Sequence, residues 1–207
     1  MILKAKHHFF IYPFFQNYAL WKIRKAFHAV HIVGSFKDGK RPVLVIANHT
    51  SWWDGFWMAY LNKKKIHRQL HFMMLEKKLR KHWYFNYAGG YSVQKKTRSL
   101  LETIDYTAQL LKSSSNMVFM FPQGKITSMH ETQITFESGI EKILSRVDND
   151  LHILFVANMV DFFSHPKPIL YIHLEAYQNT NKDRKALQLA YNTFYAKALN
   201  SQKNRSE

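Results

Sequence analysis

The feature that most constrains this chain is an alternation of two patterns. Short apolar runs at His31–Phe36, Pro42–Ala47, Leu70–Leu75, Tyr91–Val93, Met117–Phe121, Leu151–Ala157 and Ile169–Leu174 read as strands. Between them, Trp53–Asn62, Thr97–Lys112, Gly139–Val147 and Arg184–Ser201 carry helical spacing. In the second of these, Leu101, Ile104, Ala108 and Leu111 recur on one face, Thr97 opens the helix and Ser113–Asn116 end it. Strand–helix alternation predicts an α/β fold: a mixed, mostly parallel sheet flanked by helices. No internal repeat or linker divides the chain. At 207 residues and 46% hydrophobic content it can bury one core of its own.

Charge and aromatic content narrow the function classes. Thirty Lys and Arg against fourteen Asp and Glu give a formal charge of +16. That suits an anionic membrane face, phosphate-bearing small molecules or nucleic acid. Lys and Arg are scattered along the chain rather than interleaved with aromatics in one patch, which disfavours nucleic acid. The absence of cysteine removes disulfides, thiol catalysis and Cys-ligated zinc. His67 and His71 are four apart, but position 71 reads as strand, so no metal site is expected there.

The stretch Phe9–Leu20 is too short for a membrane span and carries Pro13, Gln16 and Asn17; no small-residue cleavage site follows it. It continues into a segment where Leu20, Ile23, Phe27 and Val30 share a helical face and Lys22, Arg24 and Lys25 lie elsewhere. Such an amphipathic, aromatic and basic helix fits either a membrane interface or a surface helix packed on the domain.

The chemistry concentrates where the run VLVIA enters Asn48-His49-Thr50-Ser51-Trp52-Trp53-Asp54. Polar groups at the carboxyl end of a strand in an open α/β sheet are where ligands bind. On one continuous helix His49 and Asp54 would stand roughly 140° apart. They meet only if His49 lies in the strand-to-helix turn and Asp54 in the first helical turn. Asp54 would then fix the tautomer of His49 and leave the other ring nitrogen as a general base. With twelve His and seven Asp present, a His-x4-Asp spacing arises by chance on the order of 0.4 times, so it gains weight only from its neighbours. A second strand ends in Phe121-Pro122-Gln123-Gly124-Lys125. Between the two lies Gly89-Gly90-Tyr91-Ser92-Val93-Gln94-Lys95-Lys96-Thr97-Arg98, a short strand running into a basic turn.

These three strand ends, in this order, resemble the glycerolipid acyltransferase family typified by 1-acylglycerol-3-phosphate acyltransferases, over about residues 43–158. NHTSWWD matches the family's Asn-His-x4-Asp signature. FPQG resembles its Phe-Pro-Glu-Gly turn, with Gln123 in place of Glu. Gly89–Lys95 is similar to the Gly-x-x-Phe-Ile-x-Arg block, with Lys95 in place of Arg. Phe136–Gly139 leads into a helix as a Phe-x-x-Gly segment does, and the Pro-Val strand falls at Phe155–Val156 without its proline.

The resemblance implies transfer of a fatty acyl group from acyl-CoA or acyl carrier protein, as co-substrate and without a further cofactor or metal, to the hydroxyl of a lyso-lipid in phospholipid biosynthesis. His49 and Asp54 are the implied catalytic residues. Asn48, Ser51, Gly89, Lys95, Arg98, Phe121, Pro122, Gln123, Gly124 and Lys125 are the implied substrate contacts. Backbone donors near Gly124 or at the start of the Trp53 helix are candidates to hold an oxyanion. Residues 1–37 are expected as a membrane-interface segment, 38–200 as the acyltransferase domain and 201–207 as a frayed tail. The protein would sit peripherally on the cytoplasmic face of a membrane, without nucleic acid. Gln123 and Lys95 fall where the family is thought to hold the acceptor headgroup, which leaves the acceptor open between lysophosphatidate and another lyso-lipid, an aminolipid, a glycolipid or a hydroxylated pigment. The alternative is a catalytically inactive lipid-binding protein of the same fold.

Overall fold

The computed structural model describes residues 1–94, 98–147, 150–179 and 181–206. In chain order the elements are α1 (Ile11–Ala26), β1 (Ala29–Val33), β2 (Val43–Ala47), α2 (Asp54–Leu61), β3 (Gln69–Leu75), α3 (Glu76–Lys81), α4 (Tyr84–Tyr87), β4 (Gly90–Val93), α5 (Ser99–Leu110), β5 (Asn116–Met120), α6 (Gly139–Leu144), β6 (His152–Asp161), β7 (Ile169–Ala176) and α7 (Arg184–Lys203). The strands form one seven-stranded sheet in the order β1-β7-β6-β2-β5-β3-β4. Every neighbouring pair is parallel except β6 with β7. The mixed, mostly parallel α/β sandwich read from the sequence is therefore the fold.

Central strands are apolar throughout because helices cover both faces of the sheet. Along β2, Leu44 and Ile46 point into a core with Ile104 of α5, Ile140 of α6 and Tyr191 of α7. Val43, Val45 and Ala47 point the other way, onto Ala19 and Ile23 of α1 and Trp57 and Met58 of α2. In α1 the buried residues Gln16, Ala19, Leu20 and Ile23 recur every three or four positions, as a docked amphipathic helix requires. Helix α2 runs on into a wider turn over Asn62–Ile66, closed by the His67 amide on the Asn62 carbonyl (2.8 Å). The Asp183 side chain caps α7 through the Lys185 and Ala186 amides.

The boundary expected at residue 37 falls inside one continuous body. Strand β1 pairs with β7 from Ala29↔Ile169 to Val33↔His173. It begins two residues before the expected His31, since Phe27 already closes α1 in an extended conformation. Ahead of α1, residues 3–8 run along β4 and its approach. The Ser92 amide donates to the Leu3 carbonyl (2.9 Å), the Gly89 amide to Lys6 (3.1 Å) and the His8 amide to Tyr87 (3.2 Å). This strap covers the β4 edge, which would otherwise be open to pairing with another chain. His7 Nε2 lies 2.9 Å from the Leu70 carbonyl, and its ring meets that of His71 edge-on at 4.6 Å. Burial, then the charge of His7, push His71 down to about 4, so it stays neutral in the sheet near neutral pH. At the other end, residues 201–203 are helical rather than frayed, and Gln202 Nε2 donates to Asp161 Oδ2 (2.5 Å).

Strands β5, β3 and β4 lie on one side of β2, and β6 and β7 on the other. Connections diverge around the carboxyl end of β2, leaving the crevice where α/β sheets bind ligands.

Candidate active site

His49 stands two residues beyond the end of β2, and Asp54 is the first residue of α2. The sharp turn between them brings His49 Nδ1 to 2.6 Å from Asp54 Oδ2. The same oxygen accepts the amides of Thr50 (2.8 Å) and Ser51 (2.9 Å), so the turn is wound around one carboxylate. The Asp54 side chain is fully buried, whereas that of His49 is 24% exposed. A carboxylate facing Nδ1 requires a proton there, which leaves the lone pair on Nε2. The N-terminal end of α2 also favours a negative charge at this place.

The strand end of β5 completes the floor. Phe121 lies flat on the imidazole, with ring centroids 4.1 Å apart and planes 6° apart. Gln123 is buried, accepts the His49 amide on Oε1 (2.6 Å) and donates from Nε2 to Thr127 Oγ1 (2.5 Å). The Thr127 amide in turn donates to the His49 carbonyl (2.9 Å). Gln123 and Thr127 thus grip the His49 backbone from both sides. The left-handed Gly124 (φ 63°) lets the chain reverse between them.

This geometry revises several sequence expectations. Gln123 does not present its amide to an acceptor headgroup, since both polar atoms are spent on the protein. Gln123→Ala, which strands the His49 amide, should lower unfolding free energy by about 2 kcal/mol. Gln123→Glu keeps both bonds if the Thr127 hydroxyl turns to donate, and should lose less than half as much. Urea titration of the two variants checks this, and equal losses would refute the clamp.

Asn48 is likewise not a substrate contact. It is fully buried, and Nδ2 and Oδ1 bond the Asn158 carbonyl (3.0 Å) and amide (2.8 Å), tying the end of β2 to β6. Gly89 lies at the opposite end of the sheet, before β4 and beside Leu70, four or five residues or roughly 15 Å along the strand direction from His49. Its role is tight packing. Ser51 shapes the turn, its Oγ accepting the Trp53 amide (3.1 Å). Pro122 is buried, and its carbonyl accepts the Glu137 amide (2.8 Å).

Lys125 is exposed on the turn after Gly124, and Arg98 is exposed at the start of α5. Lys95, Lys96 and Thr97 lie outside the described residues. Of the backbone donors considered for an oxyanion, the Thr50 and Ser51 amides are engaged by Asp54 and the Gly124 amide by the Phe121 carbonyl (3.1 Å). Trp52 is 67% exposed. Sequence reading missed Thr127 and Asn158. Thr127 sits in an irregular loop and gave no signal; Asn158 did, as a lone amide in the apolar run of β6.

Comparison with known proteins agrees with this architecture. The chain is similar to the solved structure of the 1-acyl-sn-glycerophosphate acyltransferase PlsC from Thermotoga maritima, with a TM-score of 0.64 at 16% identity, over 94% of this chain and 80% of that one. It is 27% identical over 108 residues to a 1-acyl-sn-glycerol-3-phosphate acyltransferase of Streptococcus pneumoniae, a segment covering 51% of this chain and 39% of that protein's length. The family model described as Acyltransferase matches residues 23–184. That span holds the His49–Asp54 turn, the Phe121–Gly124 turn and all the strands from β2 to β7, and on it the chain belongs to the acyltransferase family.

Proposed function

We propose that this chain transfers a fatty acyl group from a thioester of CoA or acyl carrier protein to the hydroxyl of a lyso-lipid of the 1-acylglycerol-3-phosphate class. The observation that carries the reading is the His49–Asp54 pair at the carboxyl end of β2, bonded at 2.6 Å with a buried carboxylate and a partly open imidazole. The acceptor hydroxyl gives its proton to His49 Nε2 as its oxygen attacks the thioester carbonyl. The tetrahedral intermediate then expels the thiolate, which takes the proton back from Nε2. Asp54 holds the ring and stabilises its transient positive charge. The reaction balances with donor and acceptor alone. Lys125, Arg98 and Lys95 are the cations we assign to phosphate groups of donor or acceptor.

The site works at a membrane surface in this reading, on the cytoplasmic side where the thioesters are made. Among the described residues no helix is long and apolar enough to cross a membrane. The buried face of α1 docks on the sheet, while Phe14 and Trp21 on its other face are 61% and 52% exposed. Lys25 and Lys22 lie over the Trp21 ring at 5.4 and 5.7 Å. Aromatic rings flanked by lysines suit the headgroup region of an anionic bilayer.

The reading is tested by offering radiolabelled palmitoyl-CoA and palmitoyl carrier protein with lysophosphatidate, and separately with total lipid extract, and identifying the labelled product by mass. Labelled diacyl product is expected. Label in another lipid would correct the acceptor, and label left on both donors would reject the acyl-transfer reading.

A further inference from the structure

The connection from β6 to β7 opens with two neighbouring phenylalanines, Phe162 at 55% and Phe163 at 38% exposure. Phe163 adopts φ 47°, a left-handed backbone that side chains with a Cβ rarely take. The fold thus holds a partly exposed aromatic residue in an unfavourable conformation.

Topology says at which end of the sheet these rings stand. Because β6 runs parallel to β2 and leaves the sheet after Asp161, the hairpin stands at the same end as His49 and the Phe121–Lys125 turn. Helix α1 also arrives at that end. The His28 amide donates to the Pro168 carbonyl (2.8 Å), and the His28 and His165 rings stack at 3.6 Å. The hairpin is thereby fastened to the chain leaving α1, about one turn beyond Lys25 and two beyond Trp21 and Lys22. Lys167 adds a cation within the hairpin, and the neighbouring carboxylate, Asp161, is engaged by Gln202. Trp52, three residues after His49, is 67% exposed as well, and its ring meets those of Trp53 and Phe56.

We infer that the Phe162–Phe163 hairpin is a second membrane-inserting element, which with the exposed face of α1 seats the carboxyl end of the sheet, and His49 with it, on an anionic bilayer. This rests on the membrane-surface reading above and adds an orientation to it: the mouth of the crevice faces the lipid. A bilayer rather than a protein partner is favoured by Lys167 within the hairpin, by the fastening of the hairpin to the chain leaving α1, where Lys22 and Lys25 lie over Trp21, and by a chain charge of +16.

The test is co-sedimentation of the full chain with vesicles of three parts phosphatidylcholine to one part phosphatidylglycerol. The double variant Phe162→Ser/Phe163→Asn removes both rings, and asparagine accepts the left-handed backbone. Its thermal melting should match or exceed that of the parent while its vesicle partition constant falls by at least about tenfold. In this cysteine-free chain, Phe162→Cys carrying an environment-sensitive fluorophore should shift to the blue on vesicles and be quenched by spin-labelled lipid. Parent binding with an unaffected double variant and an unshifted probe would overturn the hairpin inference alone. A parent that does not bind overturns the membrane reading too, whereas acyl transfer to detergent-dispersed acceptor tests the reaction separately. Sedimentation velocity without vesicles covers the remaining occupant. Self-association lost in the double variant would assign the rings to a second copy and overturn the inference.

Discussion

His49→Ala should cut acyl transfer by roughly a thousandfold, within the usual range of about 10²–10⁴ for a general base, with little change in melting. The ring is partly exposed, and without it Asp54 still accepts the Thr50 and Ser51 amides. Asp54→Asn should come close in rate loss, because an amide facing Nδ1 no longer fixes the proton there or stabilises the imidazolium. Asp54→Ala should add a stability loss of about 2 kcal/mol, since two amides of the turn then lose their acceptor. Initial rates at saturating donor, taken with thermal melts, separate the three variants. A His49→Ala enzyme retaining more than about a tenth of the parent rate would remove His49 from the chemistry.

The second large effect is on stability, at a position the family resemblance assigned to substrate. Gly89 has φ 98°, and a Cβ placed there would stand 2.0 Å from the Leu70 carbonyl oxygen and 2.8 Å from His7 Nε2. The carbonyl is backbone and cannot swing aside, and it is also the partner of His7 Nε2. Gly89→Ala should therefore cost about 3 kcal/mol, combining left-handed strain with displacement at the β3–β4 junction. The N-terminal strap should loosen with it. Urea unfolding and hydrogen exchange at the Leu3, Lys6 and Phe72 amides measure both effects. A loss below about 1 kcal/mol would show that the junction yields more easily than its contacts suggest.

What the sequence conveyed follows from how local each signal is. All seven strands were legible because each is a short apolar run, and runs like VLVIA have no other use than burial on both sides. Helices α1, α2, α5, α6 and α7 were legible by period. Helices α3 and α4 were not: α3 buries only Leu79 and α4 buries nothing, so neither has an apolar stripe to detect. The His49–Asp54 contact was legible because only a strand-to-helix turn can bring residues five apart together. Roles that depend on distant partners were not. Asn48 meets Asn158 across two strands 110 residues apart in sequence, and Gln123 meets the His49 backbone across 74. Both could be taken for ligand-binding amides until the structure showed their bonds already made.

The edge position of β1 has a consequence for how the chain is made. Its neighbour in the sheet is β7, joined through Ala29↔Ile169, so β1 waits for a strand made about 140 residues later. Closing so long a loop is slow in entropic terms. Meanwhile Ala19, Ile23 and Phe27 lack the β7 side chains Leu170, Ile172 and Leu174 that share their core. On the ribosome, α1 is thus an unpacked helix with an apolar stripe on one side and an aromatic, lysine-flanked stripe on the other. Such a nascent segment is a substrate for chaperones or for the bilayer itself, and docking of β7 is the event that withdraws one stripe and leaves the other outside.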